Sequence, residues 1–368
     1  MNNKIYKMGI VGYGGMAHWH KRLIQTGNAN QKNAAAEITN PLGIEIKGIF
    51  DIDRKRLDEA NAEGLVAYDS FETMLADDQI DIILCATPND VHRDVVIRAL
   101  EAGKHAVCEK PVTISSVDLQ AMIDASKRTG NVFVVHQNRR WDGDFLTVKN
   151  AYNEGILGDI FEIQSRIHGS RGIPGDWRGK KENGGGMMLD WGVHIIDQLL
   201  MIVDDEIDTI YATMQHVTND EVDDGFRMIM TFKNGLSALL EVATANFIDL
   251  PRWYVLGTEG ALRIDKLGGG GKDADVTRIT DKTKNDATPI VTAAGLTKTM
   301  APRTRETTVS ETLPIKWGNI KEFYANVIAT IEGKETQIVK PDQVMRVMRV
   351  METAFKSAEL GEIIKFEE

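Results

Sequence analysis

Cysteine is scarce in this 368-residue chain: Cys85 and Cys108 are the two it has, each inside a short apolar run. Two such cysteines without paired spacing argue against a disulfide framework or a zinc site and suggest a reducing compartment. Positive charge is also in deficit, with 43 Lys and Arg against 54 Asp and Glu and a formal net charge of −11. That balance argues against nucleic acid or an anionic membrane surface as the main partner. No apolar run reaches the ~18 residues of a membrane span, and the opening Met1-Asn2-Asn3-Lys4-Ile5-Tyr6 starts no cleavable segment. A cytoplasmic location is expected. What remains is an ordinary globular composition, 42% apolar and 26% charged, too apolar for a disordered chain and too charged for a membrane bundle. The length exceeds one core, so two domains are predicted.

Residues 4 to 136 alternate short apolar runs (Met8 to Val11, Ile44 to Phe50, Ile80 to Cys85, His105 to Cys108, Val132 to Val135) with amphipathic stretches such as Val91 to Ala102 and Ser116 to Arg128. Buried strands alternating with helices predict an α/β fold, a doubly wound parallel sheet, over residues 1–138. The long connection Asn28 to Pro41 leaves the far end of the first helix, away from the crevice where such sheets bind ligands. Past residue 140 the pattern changes to a helix at Asp144 to Asn153, another over 184–203, and longer alternating runs: Ile207 to Val217, Phe226 to Phe232, Leu236 to Ala245 and Trp253 to Leu256. This predicts an α+β domain over residues 139–368, with an open, mainly antiparallel sheet. Four consecutive glycines and many Thr and Lys mark 266–311 as a mobile excursion from that sheet. Two late helices and a short strand, Ile363 to Phe366, complete the chain, and no internal repeat is visible.

The first apolar run leads into Gly12-Tyr13-Gly14-Gly15-Met16-Ala17, a G-x-G-x-x-A dinucleotide fingerprint in its proper strand-to-helix context. Gly12 permits the tight turn, Gly14 lets backbone approach a pyrophosphate, and Ala17 allows close helix–strand packing. The helix N-terminus supplies free amides for the phosphates. Asp51, ending the second run, suits the hydroxyls of an adenosine ribose and favours NAD over NADP, while Arg54 and Arg56 leave room for a phosphate clamp. Asp53 suits a helix cap.

Gly184-Gly185-Gly186 precedes a stretch in which, at ~100° per residue, Asp190, His194 and Asp197 share one helix face and Leu189, Val193, Ile196 and Leu200 the other. A carboxylate that orients a histidine builds a general base. The alternative is an N-terminal Asp, a satisfied core His and a solvent Asp. The glycine run reads as the opening through which a substrate approaches.

Together with Ala86-Thr87-Pro88-Asn89-Asp90-Val91-His92 and Ala102 to Pro111, which holds Glu109-Lys110-Pro111, these motifs resemble the glucose–fructose oxidoreductase / inositol dehydrogenase / MocA family of NAD(P)-dependent oxidoreductases. The resemblance spans nearly the whole chain. It implies a Rossmann domain followed by an open-faced sheet domain, and redox chemistry on a carbinol of a sugar, inositol or related polyol, without a metal. In that setting His194 takes the hydroxyl proton, Asp190 holds the ring or stabilises its cationic form, and Lys110 stabilises the developing alkoxide. Thr87, Pro88 and Asn89 would line the cofactor. His92 would touch it or take a capping or packing role, and Glu109 would bind nicotinamide ribose or pair locally. Asn138 and Arg139 match a family position at the cleft, and Arg140 suits a salt bridge at the domain boundary. His168, Trp177 and Arg178 are expected in the cleft among other cations (Arg166, Arg171, Lys180, Lys181). Trp191 can stack on a sugar or fill the gap beside Gly192, and Asp197 becomes support or substrate contact. His18 and His20 read as structural. Two competing activities share the fold: a lyase or glycosidase that oxidises C3 transiently on retained NAD, and a dinucleotide sensor without catalysis. Keeping Lys110, Asp190 and His194 together disfavours the sensor. A homodimer or homotetramer is expected, because an open sheet leaves one face needing cover.

Overall fold

Parallel strands covered on both faces read as near-continuous apolar runs, and the first half of the chain follows this pattern, with its few polar strand residues (Lys7, Glu45, Lys47, His105) in the amino-terminal parts of the strands. In the computed structural model, which describes residues 4–29, 38–284 and 286–367, it forms β1 (Tyr6–Val11), α1 (Gly15–Thr26), β2 (Ile44–Phe50), α2 (Arg54–Ala62), β3 (Val66–Ala67), α3 (Phe71–Leu75), β4 (Ile82–Cys85), α4 (His92–Glu101), β5 (His105–Cys108), α5 (Ser116–Thr129) and β6 (Phe133–Val135). The start of the chain and the middle of the Asn28–Pro41 connection, residues 30–37, lie outside the described residues. The six strands run parallel in the order β3-β2-β1-β4-β5-β6, so the carboxyl ends of β1, β4, β5 and β6 line up along one edge. Ile82 to Cys85 are all buried, which is why that run shows no alternation in sequence.

The second half holds α6 (Gly143–Asn153), β7 (Ile160–His168), α7 (Val193–Ile202), β8 (Ile207–Gln215), β9 (Gly225–Phe232), β10 (Ser237–Ala243), β11 (Trp253–Gly257), β12 (Gly260–Ile264), β13 (Ala274–Ile279), β14 (Ile290–Thr292), β15 (Gly295–Thr297), β16 (Thr308–Leu313), α8 (Lys321–Ile331), α9 (Pro341–Leu360) and β17 (Ile364–Lys365). Nine of these strands form one sheet, β16-β13-β12-β11-β7-β10-β9-β8-β17, antiparallel except between β7 and β10. Period-2 alternation sends Phe226, Met228, Leu240 and Val242 into the core and leaves Glu162, Gln164, Tyr211 and Ile229 on the uncovered face. The stretch expected to be an excursion is in part integral: β13 pairs with both β12 and β16, and the β14–β15 hairpin forms a small sheet of its own. Only Ala274 and Val276 of β13 are buried, too short an apolar signal to stand out among threonines. Among the described residues no helix is long and apolar enough to cross a membrane.

The stretch over 184–203 does not run as one α-helix. A π-helical turn, Met188–Gly192, leads into α7. Its start is held by Asp223, whose Oδ2 accepts the Met188 amide at 2.7 Å and whose backbone carbonyl accepts that of Met187 at 2.9 Å. The glycine run is packing rather than an opening. All three glycines are buried, and a Cβ would strike Ile114 at Gly184, the Arg178 carbonyl at Gly185 and the Asp223 carboxylate at Gly186, whose φ is +105°.

Asp197 belongs to the frame and not to a substrate surface. Its oxygens take Arg140 Nε at 2.8 Å and Nη2 at 2.6 Å, and Arg140 Nη1 goes on to Gln343 Oε1 (2.8 Å) and the Ile338 carbonyl (3.1 Å) near the start of α9. Helix α9 is tied to the first domain by Glu352, which accepts the amide and hydroxyl of Ser116 at 2.6 and 2.8 Å.

Removing one partner of a buried pair strands the other charge, so Asp197→Ala should cost about 3–5 kcal/mol, read as a lower urea midpoint. A midpoint unchanged from wild type would contradict the structural role. Burial pushes the Asp223 carboxyl up to about 7. The folded chain therefore holds this proton more tightly than the unfolded chain. The stability this provides is complete below the ordinary carboxylate range and is lost as pH rises through about 7. Urea midpoints from pH ~5 to ~8 should fall more steeply for wild type than for Asp223→Asn; parallel profiles would refute it.

Candidate active site

The turn after β1 touches the turn after β4. Gly12 has φ +86°, and a Cβ there would sit 2.7 Å from the Ala86 carbonyl and 2.9 Å from Thr87 Cγ2. Gly15, the first residue of α1, faces open space, and no side chain caps the helix. Uncapped amides at an open glycine turn fit a dinucleotide pyrophosphate. Ala17 is fully buried against the sheet, whereas Met16 is half-buried. The Tyr13 amide is held by Asp51 Oδ2 at 2.6 Å, and its buried ring sends the hydroxyl to Glu63. Asp51 also accepts the Asp53 amide (2.8 Å) and Arg56 Nη1 (3.2 Å), and Asp53 caps α2 through Lys55 N at 3.0 Å.

Several residues expected at the cofactor also have protein partners. The Asn89 amide donates to the Gly184 carbonyl at 2.7 Å, linking the two domains. Both ring nitrogens of buried His92 lie 3.0 Å from carbonyl oxygens, those of Pro111 and Thr87, so it clamps the turns after β4 and β5 together. Glu109 Oε1 meets His20 Nε2 at 2.6 Å and His136 Nδ1 at 2.8 Å, deep in the domain. Each is a buried polar group whose nearest partner is protein. Thr87 and Pro88 are half-buried, with Thr87 beside Gly12.

Lys110 crosses from the Rossmann edge to the π turn, donating from Nζ to the Asp190 carboxylate and to the Asp190 carbonyl, both at 2.9 Å. Arg178 Nε lies 3.4 Å from the other Asp190 oxygen, and its guanidinium stacks over Trp177 at 4.6 Å. Burial works against the Asp190 charge, but Lys110 and Arg178 hold its carboxyl below the usual range. No hydrogen bond joins Asp190 to His194 among the described residues. Two cations are stronger, charge-assisted partners for the carboxylate than an imidazole.

His194 is 4% exposed, and its Nδ1 is buried without a partner. Burial first, then the charges of Lys110 and Arg139, push its pKa well down, so the ring is neutral. The Trp191 ring meets it edge-on at 5.8 Å, and the Arg139 guanidinium lies over the Trp191 ring, 4.2 Å from its centroid. Arg139 is fixed by Asp142 (2.9 Å) and, through its carbonyl, by Gln198 Nε2 (2.9 Å). Asn138 Oδ1 is likewise buried and unpartnered. Lys110, Arg139, Trp177, Arg178, Asp190, Trp191 and His194 thus form one connected neighbourhood, with Asn138 directly before Arg139 in the chain.

His168 lies elsewhere. Its Nε2 meets Glu241 at 2.8 Å, and both project from the uncovered sheet face, whereas the π turn packs against Phe226 on the other face. A one-residue change of parity decides this, and sequence proximity to the cluster of cations concealed it. Sequence reasoning passed over His136, Tyr324 and Asp223. His136 follows the last parallel strand, where ligand-crevice residues fall, which was a usable signal; Asp223 sits in a loop between strands and carried none.

Residues 6–137 match the model of an oxidoreductase family with an NAD-binding Rossmann fold, and residues 145–263 match the GFO/IDH/MocA C-terminal domain. An NAD-binding protein from Listeria innocua is 43% identical in sequence and superposes with a TM-score of 0.89, over 99% of this chain and 100% of that one. The scyllo-inositol 2-dehydrogenase (NADP(+)) of Bacillus subtilis is 27% identical over 299 residues, 80% of this chain and 82% of that enzyme. The inositol 2-dehydrogenase/D-chiro-inositol 3-dehydrogenase of Lactiplantibacillus plantarum is 24% identical over 275 residues, 71% of each. With its glycine turn, its Lys110–Asp190 bridge and both domains matched, the chain belongs to the GFO/IDH/MocA family of NAD-binding oxidoreductases.

Proposed function

We propose that this protein is a dehydrogenase that moves a hydride between NAD and a carbinol of a sugar, inositol or related polyol. The observation that carries the reading is His194, a neutral and nearly buried imidazole beside the Lys110–Asp190 bridge at the carboxyl edge of the parallel sheet. A bound nicotinamide supplies the hydride acceptor or donor. His194 removes the hydroxyl proton in the oxidation direction and returns it in the reverse. Lys110 places a positive charge where alkoxide develops, and Asp190 fixes Lys110 and Arg178 around that point. Asn138, Arg139, Trp177, Arg178 and Trp191 wall the substrate side, with the Trp191 ring offered to the apolar face of a polyol. Relatives named as inositol dehydrogenases support the substrate class.

At the adenosine end Asp51 favours NAD, and Arg56 beside it is available to a 2′-phosphate, so NADP is a weaker alternative. The uncovered sheet face, with Tyr211 and Ile229 exposed, suits a homodimer or homotetramer.

With a panel of inositols and aldoses, NADH formation should fall by roughly 100-fold or more in Lys110→Met and in His194→Asn, with NADH affinity retained. Full turnover in both variants would end this assignment. Asp51→Ala should shift the ratio of NAD to NADP affinity towards NADP; an unchanged ratio would remove Asp51 from cofactor choice.

A further inference from the structure

Helix α7 presents a second polar side chain one turn beyond His194, on the same face. Gln198 is fully buried, and both ends of its amide are bonded. Its Nε2 donates to the Arg139 carbonyl at 2.9 Å, and its Oε1 accepts Arg252 Nη2 at 2.6 Å. A carbonyl only accepts and a guanidinium only donates, so the amide has a single orientation. Arg252 is itself pinned. It is 3% exposed, its Nη1 donates to the Ser165 hydroxyl, and its Nε lies 3.1 Å from Asp144 Oδ2. Asp144, also buried, takes the Trp253 indole at 2.9 Å and the Gly268 amide at 3.1 Å. Gln198 is thus the joint between a buried ionic cluster of the second domain and the turn after β6.

That turn carries Arg139 and is closed on itself. The Asp142 amide reaches the Arg139 carbonyl at 3.2 Å, and the Asp142 carboxylate holds Arg139 Nη1 at 2.9 Å. The Arg139 guanidinium, at the other end of the residue, lies 4.2 Å from the centroid of the Trp191 ring, which meets His194 edge-on at 5.8 Å. We infer that Gln198 is a positioning residue for substrate binding: it ties the Arg139 backbone to the helix that bears His194, and so sets the Arg139–Trp191 wall at a fixed distance from the imidazole. The inference rests on the proposed dehydrogenase reading. Arg140 and Asp197 join the neighbouring residues of the same two elements, but through the length of a side chain rather than at the Arg139 peptide. Volume alone does not account for Gln198. A carboxylate there would serve the guanidinium and not the carbonyl, and an apolar side chain would leave both buried groups unpaired.

Gln198→Glu, made in the full-length chain, separates this role from packing. The carboxylate keeps the volume and the bond to Arg252, but it cannot donate and it repels the Arg139 carbonyl. The KM for the polyol should rise ~10-fold, with kcat within about threefold and the dinucleotide dissociation constant within about twofold. An unchanged KM would mean that holding Arg252 is all Gln198 does, and would overturn the inference. A loss of kcat at constant KM, or dinucleotide binding weakened as much as the polyol's, would overturn it too. The structural arm needs no substrate. In crystals of Gln198→Glu the Arg139 guanidinium should have left the Trp191 ring, and an unmoved pair would refute the role whatever the kinetics. A displaced pair, in a protein whose wild type is inert to every polyol, would place the failure in the dehydrogenase reading. Should that variant not fold, Gln198→Met, which fills the volume and bonds to neither partner, carries the same two readouts with the same outcomes.

Discussion

Everything at the cleft depends on the contact between Lys110 and Asp190. One ammonium, 15% exposed, reaches from the edge of the parallel sheet to the carboxylate and the carbonyl of a residue in the other domain. A pair so placed gives less net stability than its short distances suggest, because both charges lose water. What it provides is registration. It fixes the π turn against the Rossmann edge and leaves His194 as a neutral imidazole, free of the carboxylate four residues before it.

The rest of the frame serves the same registration. Asn89 holds the Gly184 carbonyl, Glu352 of α9 holds the start of α5, and Tyr324 of α8 reaches His20 of α1. The buried Arg140–Asp197 pair joins the segment after β6 to α7 and α9. The first three contacts cross between the halves of the molecule, the last braces the second half, and each is made by a polar group that is buried or half-buried. Polar bridges of this kind specify one docking geometry where an apolar interface would tolerate several. Asp223 extends the same logic within the second domain, setting the start of the turn that carries Asp190.

Sequence alone displayed much of this. The parallel strands were legible because they are continuous apolar runs, and the dinucleotide turn because Gly12 sits where no Cβ fits. Lys110, Asp190 and His194 were legible as a set through the resemblance that links them. Their bonding was not. Helical spacing paired Asp190 with His194, but the stronger field of Lys110 and Arg178 across the cleft draws the carboxylate away, and nothing local encodes that. Asn89, His92, Glu109 and Asp197 carry residue types suited to ligands, and the structure gives each a protein partner that the sequence does not specify. His168 failed on parity, since one residue along a strand exchanges the two faces of a sheet. The strand β13 was hidden by composition, because two buried side chains suffice at the periphery of a sheet.

The central claim is that a C–H bond of a carbinol is broken between Lys110 and His194, with its hydrogen passing to the dinucleotide. Polyols carrying deuterium on the carbinol carbons, incubated with the protein and NAD, test this directly through mass spectrometry of the recovered dinucleotide. Deuterium should appear in the reduced nicotinamide in proportion to the polyol oxidised. Oxidation or elimination of the polyol with its deuterium released to water, and none in the dinucleotide, would contradict the account.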